Sequence, residues 1–152
     1  MVKFLFLLLL LTGCAADDSI KVVGVVDGDT IKVVQNDKEY KVRLTEIDCP
    51  ERHQPYYQKA KELTSDLCFG KKVTITSGTF DRYGRILGEV ALPDGRILNE
   101  ELLRAGMAWQ YKQYSKNPFY AKIESEAKQS RRGLWNDKDP IPPWEFRKKK
   151  SR

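Results

Sequence analysis

Apolar positions along the chain change period partway through, and that change sorts the predicted elements. Ile20 to Val26 is a β-rich run closed by Asp27-Gly28, a hairpin turn pair. Thr30 to Val34 follows, with Ile31 and Val33 on one face. After an Asn36-Asp37 turn, Tyr40, Val42 and Leu44 alternate with Lys41 and Arg43. Three such runs in succession predict a three-strand meander. The period then lengthens. Pro55 stands where a helix can begin, Ala60, Leu63, Thr64, Leu67 and Cys68 recur at helical spacing, and Gly70 is a stop. Val73 to Thr76 and Ile86 to Leu92 predict two more strands, with Tyr83-Gly84 in their connection and an Asp94-Gly95 turn after them. Asn99 is an N-cap candidate ahead of Glu100 and Glu101, and Gly106 an end for that short helix. Asn117-Pro118 predicts the start of a last helix with Ile123 and Ala127 in its buried stripe, Arg131 and Arg132 in its final turn and Gly133 after it. Pro140, Pro142 and Pro143 argue against regular structure beyond, and Arg147 to Arg152 reads as a solvated basic end. The sum is an α+β fold, mainly β: a five-stranded Greek-key barrel of the OB type with three packed α-helices.

The N-terminus carries a different signal. Phe4 to Leu11 is an unbroken apolar run behind Lys3. It is far shorter than the roughly 20 residues a spanning helix needs, and fits the core of an export signal. It ends in Leu11-Thr12-Gly13-Cys14, which resembles the bacterial lipobox, where cleavage precedes a lipid-bearing cysteine. The organisation expected is a signal peptide over 1–13, a lipidated Cys14 opening a polar linker over 14–19, one folded unit over 20–147 and a basic tail over 148–152. Acylation at Cys14 would anchor the exported protein to a membrane of the cell envelope. An ordinary signal peptide cut after Ala15 or Ala16 is the other reading.

Composition narrows the picture modestly. With 152 residues, 41% hydrophobic and 32% charged, one globular unit is expected and no second one. The net charge of +6, or +5 once Lys3 is removed (26 − 21), favours a polyanionic partner without naming one. Cys49 and Cys68 remain after Cys14, and for an exported chain both a disulfide and two free thiols are open. His53 is the only histidine and no Cys/His metal cluster exists, so it reads as a loop residue. A monomer is the default.

Three segments offer chemistry. Asp27-Gly28-Asp29-Thr30 also reads as a plain turn, Arg43 to Glu51 as a strand running into a proline, and Asp81-Arg82-Tyr83-Gly84-Arg85 as a charged hairpin. Taken together they contain what phosphodiester hydrolysis requires. Carboxylates such as Asp29 and Asp48 suit a hard divalent cation. A further carboxylate, Glu51, can orient or deprotonate water. Arg43 and Arg85 can fork onto phosphate oxygens and hold the charge of the transition state.

The motifs Asp-Gly-Asp-Thr, Arg-Leu-x-x-Ile-Asp-x-Pro-Glu and Asp-Arg-Tyr-Gly-Arg, in this order, resemble the staphylococcal nuclease family. The run Asn99 to Ala108 is similar to its next helix, Gly133-Leu134-Trp135 to the end of its last, and Pro142 to Arg147 to the ending of bacterial members. The resemblance covers about residues 20 to 135. It implies an OB-barrel endonuclease that uses Ca²⁺, cleaves DNA and RNA, prefers single strands and leaves 3′-phosphates. It further implies Asp29, Asp48 and the Cys49 backbone carbonyl as metal ligands, the family commonly having threonine at that last position. Mg²⁺ is an alternative on residue chemistry alone, since two aspartates and a carbonyl serve either ion. Glu51 matches the proposed general base, and Arg43 and Arg85 the phosphate-clamping arginines. Arg82 and Tyr83 match the nucleotide pocket; Tyr111 and Tyr114 lie near the substrate tyrosines without aligning cleanly. Exposed rings above a basic groove would stack bases with little sequence preference. Two rival readings stand beside this one: a tethered OB-fold that binds nucleic acid without cutting it, and a lipoprotein with a structural role in the envelope.

Overall fold

In the computed structural model, which describes residues 20–150, the two periods become the two layers of the fold. The alternating runs form strands β1 (Ile20–Asp27), β2 (Thr30–Gln35) and β3 (Lys38–Leu44), followed by a two-residue strand β4 (Ile47–Asp48). Helix α1 (Tyr57–Cys68) leads to β5 (Lys72–Phe80) and β6 (Ile86–Ala91). Helix α2 (Leu98–Arg104), the short strand β7 (Trp109–Gln110), helix α3 (Pro118–Gln129), a 3₁₀ turn (Gly133–Asn136) and helix α4 (Pro143–Lys150) complete the chain. The expectations for the export signal, the linker and Cys14 lie outside the described residues, as do Ser151 and Arg152 of the basic tail. Among the described residues no helix is long and apolar enough to cross a membrane.

The barrel closes in the order β1-β2-β3-β6-β5. Every neighbouring pair is antiparallel except β3 and β6, which run parallel with Val42 opposite Ile86 and Leu44 opposite Gly88. That parallel seam is what a Greek-key connection produces, and the fold is the OB type expected. Alternate residues point inward: Val22, Ile31, Val33, Val42, Leu44 and Val90 are almost wholly buried, joined by Leu98, Leu102, Leu103 and Ile123 from the helices. The seam between β1 and β5 is short, with only Ile20–Val73 and Lys21–Lys72 paired. Strand β1 carries two register shifts, one of them immediately before Asp27, and such bulges bend a strand where a turn must be aimed.

The structure departs from the sequence expectations in several places. Asn99 is not a cap. Helix α2 begins at Leu98, and Asn99 is fully buried, its Oδ1 accepting from Val90 N–H (3.2 Å) and its Nδ2 donating to the Thr45 carbonyl (2.9 Å). Helix α3 ends at Gln129, so Arg131, with φ of 51°, lies beyond its final turn. Asn117 does cap α3 by accepting from Phe119 N–H, with Pro118 at the first helical position. Beyond the prolines the chain is helical again: Pro143 starts α4, making four α-helices among the described residues instead of three. Proline tolerates a first helical turn, where no N–H is required. Lys148, Lys149 and Lys150 of the supposed tail belong to that helix. Cys49 and Cys68 are both free and buried, which decides against a disulfide. Gly106 and Gly133, with φ of 65° and 52°, press backbone on backbone, since a Cβ on either would lie within 2.3 Å of a carbonyl oxygen of the other segment. Through this contact the segment after α3 is held against the end of α2.

Candidate active site

A cleft of about 1250 Å³ opens on the side of the barrel where the β1–β2 turn, the end of β3, β4, the β5–β6 hairpin and α4 meet. Asp29, Arg43, Asp48, Glu51, Arg82, Tyr83, Arg85, Tyr111 and Tyr114 all line it, so segments far apart in sequence are gathered here. Cys49 lies directly behind, buried, with its N–H donating to Asp29 Oδ2 (2.7 Å).

Local structure explains the placement. The turn holding Asp27 to Thr30 is fastened from below by Thr64 of α1, whose hydroxyl donates to the Gly28 carbonyl (2.6 Å). Strand β3 delivers Arg43 beside that turn, since Thr30 and Arg43 are paired across β2 and β3. Positive φ at Glu46 (64°) turns the chain after β3, and the pairing of β4 with β7 then fixes Asp48 opposite Trp109. Glu51 follows on a loop that Gln54 ties down, accepting from Glu51 N–H (2.7 Å) and donating to the Ile141 carbonyl (3.0 Å).

Arg43 is the hub. Its Nε lies 3.2 Å from Asp29 Oδ1 and its Nη2 3.0 Å from Asp48 Oδ1. Its Nη1 donates to the Ile47 carbonyl (3.0 Å) and to the Leu44 carbonyl. Three N–H groups of its fork thus donate inside the protein, and Nε adds the ion pair to Asp29. Burial works against its charge, but Asp29 and Asp48 more than compensate and raise its pKa further. The acids are less well balanced. Burial lifts the Asp48 carboxyl to about 6 even though Arg147 and Arg43 pull the other way. Burial and then the neighbouring Asp29 lift Asp27 to about 6 as well. Ionising these buried acids is therefore costly, and a hard cation against their oxygens would favour the charged form.

The fit to a metal is consistent but sparse. Asp29 and Asp48 are only 6% and 2% exposed and face the cleft. No group of three or more His, Cys, Asp and Glu side chains is gathered as a ready cage among the described residues. Two carboxylates, a carbonyl and water suit Ca²⁺, which accepts irregular oxygen shells, better than Mg²⁺. The Cys49 thiol is buried and its pKa raised, chiefly by burial, and the residue is not part of the cleft lining.

The β5–β6 hairpin supplies the facing wall. Arg85 Nε pairs with Asp81 Oδ2 (2.8 Å), and the same aspartate accepts from the backbone N–H of Tyr83 and Arg85. The Arg85 guanidinium lies over the Tyr83 ring, 5.6 Å from its centre, and both side chains line the cleft. Arg82 donates to the Tyr83 hydroxyl (2.6 Å), and Tyr83 is 68% exposed. Tyr111 and Tyr114 form an edge-on pair (4.8 Å between ring centres) on the opposite lip, tied to the β3–β4 turn by Tyr111 N–H donating to the Glu46 carbonyl. His53 is exposed and lies off the cleft.

One residue escaped the sequence reading. Arg147, assigned there to the end of the folded unit, reaches back into the cleft and pairs with Asp48 (Nη2–Oδ2 2.9 Å) and Glu51 (Nη1–Oε1 2.5 Å). The only advance signal was the Pro142 to Arg147 ending itself, which carried no assigned role.

The chain matches the family model described as staphylococcal nuclease homologue over residues 41–137. It is 47% identical over 135 residues to a protein of Escherichia coli described as an uncharacterized endonuclease, covering 89% of this chain and 88% of that one. A Haemophilus influenzae protein with the same description is 38% identical over 148 residues, covering 96% and 83%. A micrococcal nuclease of Shigella flexneri is 39% identical over 144 residues, covering 88% and 82%.

Proposed function

The chain belongs to the staphylococcal nuclease family, and on that premise we propose that it is a Ca²⁺-dependent endonuclease hydrolysing DNA and RNA. It acts most readily on single strands, with little sequence preference, and leaves 3′-phosphate ends. One observation carries this reading: Asp29, Asp48 and Glu51 share a single cleft with Arg43 and Arg85. A barrel that only bound nucleic acid would have no use for three acids facing a polyanion.

Asp29, Asp48 and the Cys49 carbonyl are the residues to hold the cation. When bound, a divalent ion there neutralises phosphate charge and polarises the scissile linkage. Arg43 locks the two aspartates in place and brings its positive charge to the cleft wall. Arg85, fixed only through Nε, presents its Nη groups as a fork for phosphate oxygens, where charge grows in the transition state. Glu51 is the carboxylate to orient attacking water and take its proton. Tyr83, Tyr111 and Tyr114 offer rings on which bases of any identity can stack, and Arg82 adds charge beside them. The chain acts as a monomer, exported and anchored through a lipid on Cys14; the apolar run ahead of that cysteine supports this part of the reading.

Cleavage of single-stranded DNA by residues 15–152 with Ca²⁺, with Mg²⁺ and with chelator tests the proposal. Chelator-sensitive cleavage abolished by Glu51→Ala supports it, and the ion series names the metal. Salt-sensitive binding without cleavage in either ion supports instead a tethered module that binds nucleic acid only.

A further inference from the structure

Helix α4 brings a fourth guanidinium to the cleft, beside those of Arg43, Arg82 and Arg85. Its first turn is anchored by Trp144, which stacks flat on Tyr111 (5.3 Å between ring centres, 2° between planes) and meets Trp109 edge-on at 5.8 Å. One turn further, Arg147 extends over the acids. Its Nη2 donates to Asp48 Oδ2 (2.9 Å), its Nη1 to Glu51 Oε1 (2.5 Å) and more weakly to Asp48 Oδ1 (3.3 Å), and Tyr111 Oη lies 3.5 Å from Nη2. The segment leading into α4 is itself tied to the Glu51 loop through Gln54 and the Ile141 carbonyl.

The two arginines that touch Asp48 differ in how they are held. Arg43 is fixed partly by backbone carbonyls, which no ligand displaces, and its side chain is only 15% exposed. Arg147 is 40% exposed, and its partners apart from a tyrosine hydroxyl are the carboxylates of Asp48 and Glu51. Those are the same oxygens that the proposed function gives to a cation and a water. A divalent cation held by Asp48 would repel the guanidinium and compete with it for that carboxylate. The aromatic anchor at Trp144 keeps the side chain over the cleft, where an incoming phosphate is the next available anion.

We propose that Arg147 is a further substrate-binding residue: a third phosphate arginine, parked on Asp48 and Glu51 in the free protein and handed to the substrate phosphate when a cation occupies the acids. The inference rests on the nuclease reading. It assigns α4 to the site, where the basic end of the chain had looked like a solvated tail. It also gives phosphate recognition to residues on two separate walls of the cleft, the β5–β6 hairpin and α4.

Two titrations test it without relying on turnover. Binding of a short single-stranded DNA in Ca²⁺ is followed across a salt series, with Arg85→Ala as the common background to slow cleavage. Loss of one phosphate contact lowers the slope of log affinity against log salt by about 0.7 for single strands. Arg147→Ala should show that drop with weaker binding, and Arg147→Lys should keep the slope. A slope unchanged by Arg147→Ala, with the thermal melt of the variant intact, refutes the phosphate contact. Calorimetric titration with Ca²⁺ and no DNA reads the parking contact: Arg147→Ala should bind Ca²⁺ severalfold more tightly, because a resident positive charge is gone. Unchanged or weaker Ca²⁺ binding refutes the exchange. A wild-type chain that binds but never cleaves sinks the nuclease reading alone, and cleavage with no change in either titration sinks the role of Arg147 alone.

Discussion

Asn99 is the position where sequence and structure give the most divergent energetic expectations. As an exposed N-cap its loss would cost about 1 kcal/mol, and serine would replace it with little penalty. As found, it is wholly buried and bridges the Val90 N–H of β6 to the Thr45 carbonyl just after β3. Asn99→Ala leaves a buried donor and a buried acceptor without partners, at about 1–3 kcal/mol each, and opens a small void besides. The expected loss is therefore about 3 kcal/mol or more by urea unfolding, read as a fall in midpoint at constant slope. Asn99→Ser should do nearly as badly, because a hydroxyl from the same Cβ cannot span both groups. Since Thr45 opens the turn that leads to Asp48 and Glu51, calcium affinity should fall in both variants before global unfolding does. A loss below about 1 kcal/mol in both variants, or full rescue by serine, would refute the bridging role and restore the cap.

Other perturbations read the site more directly. Arg85→Ala should lower kcat about 10²-fold or more in single-turnover cleavage with only a modest change in DNA affinity, since its fork acts on charge that develops in the transition state; equal losses in both would assign it to positioning. Burial holds the Asp48 carboxyl at about 6, above its ordinary 3.8, so the metal-free folded state binds the extra proton and is penalised as pH rises between those values. Asp48→Asn, which mimics the protonated form, should thus gain in melting temperature relative to metal-free wild type from pH 4 to 6.5, and should lack the Ca²⁺ stabilisation expected of wild type on the proposed function; a constant difference across that range would contradict this. Gly28→Ala places a methyl 2.8 Å from Cys49 Cβ and 3.0 Å from Ala60 Cβ, an overpacking that should cost about 1–3 kcal/mol in chemical denaturation and, by shifting the neighbouring Asp29, weaken calcium binding.

Much of the fold was legible because the barrel strands and the helices obey clean periods. Val22, Ile31, Val33, Val42 and Leu44 alternate and are buried, as alternation requires. The cleft residues Asp29, Arg43, Asp48, Glu51 and Arg85 were legible because their motifs are local and sit at strand ends. What was hidden depends on contacts remote in sequence. Asn99 looks like a cap by its neighbours Glu100 and Glu101, yet its partners are Thr45 and Val90. Two-residue strands such as β4 and β7 have no period to detect, and exist because Ile47 and Asp48 pair with Gln110 and Trp109. Helix α4 is polar on most faces, and the contacts that dock it, among them the Trp144 rings, buried Pro143 and Arg147, do not form a periodic apolar stripe.

Arg147 stands 99 residues after Asp48, on the far side of every barrel strand. A polypeptide emerging from a ribosome exposes Asp29, Asp48 and Glu51 while α4 has yet to be translated. During that interval the wall that Arg147 and Trp144 raise around the acids does not exist. The cleft in its finished form thus waits on α4, and a nascent or C-terminally clipped chain keeps Arg43 on Asp29 and Asp48 but leaves Glu51 and the second oxygen of Asp48 without their arginine.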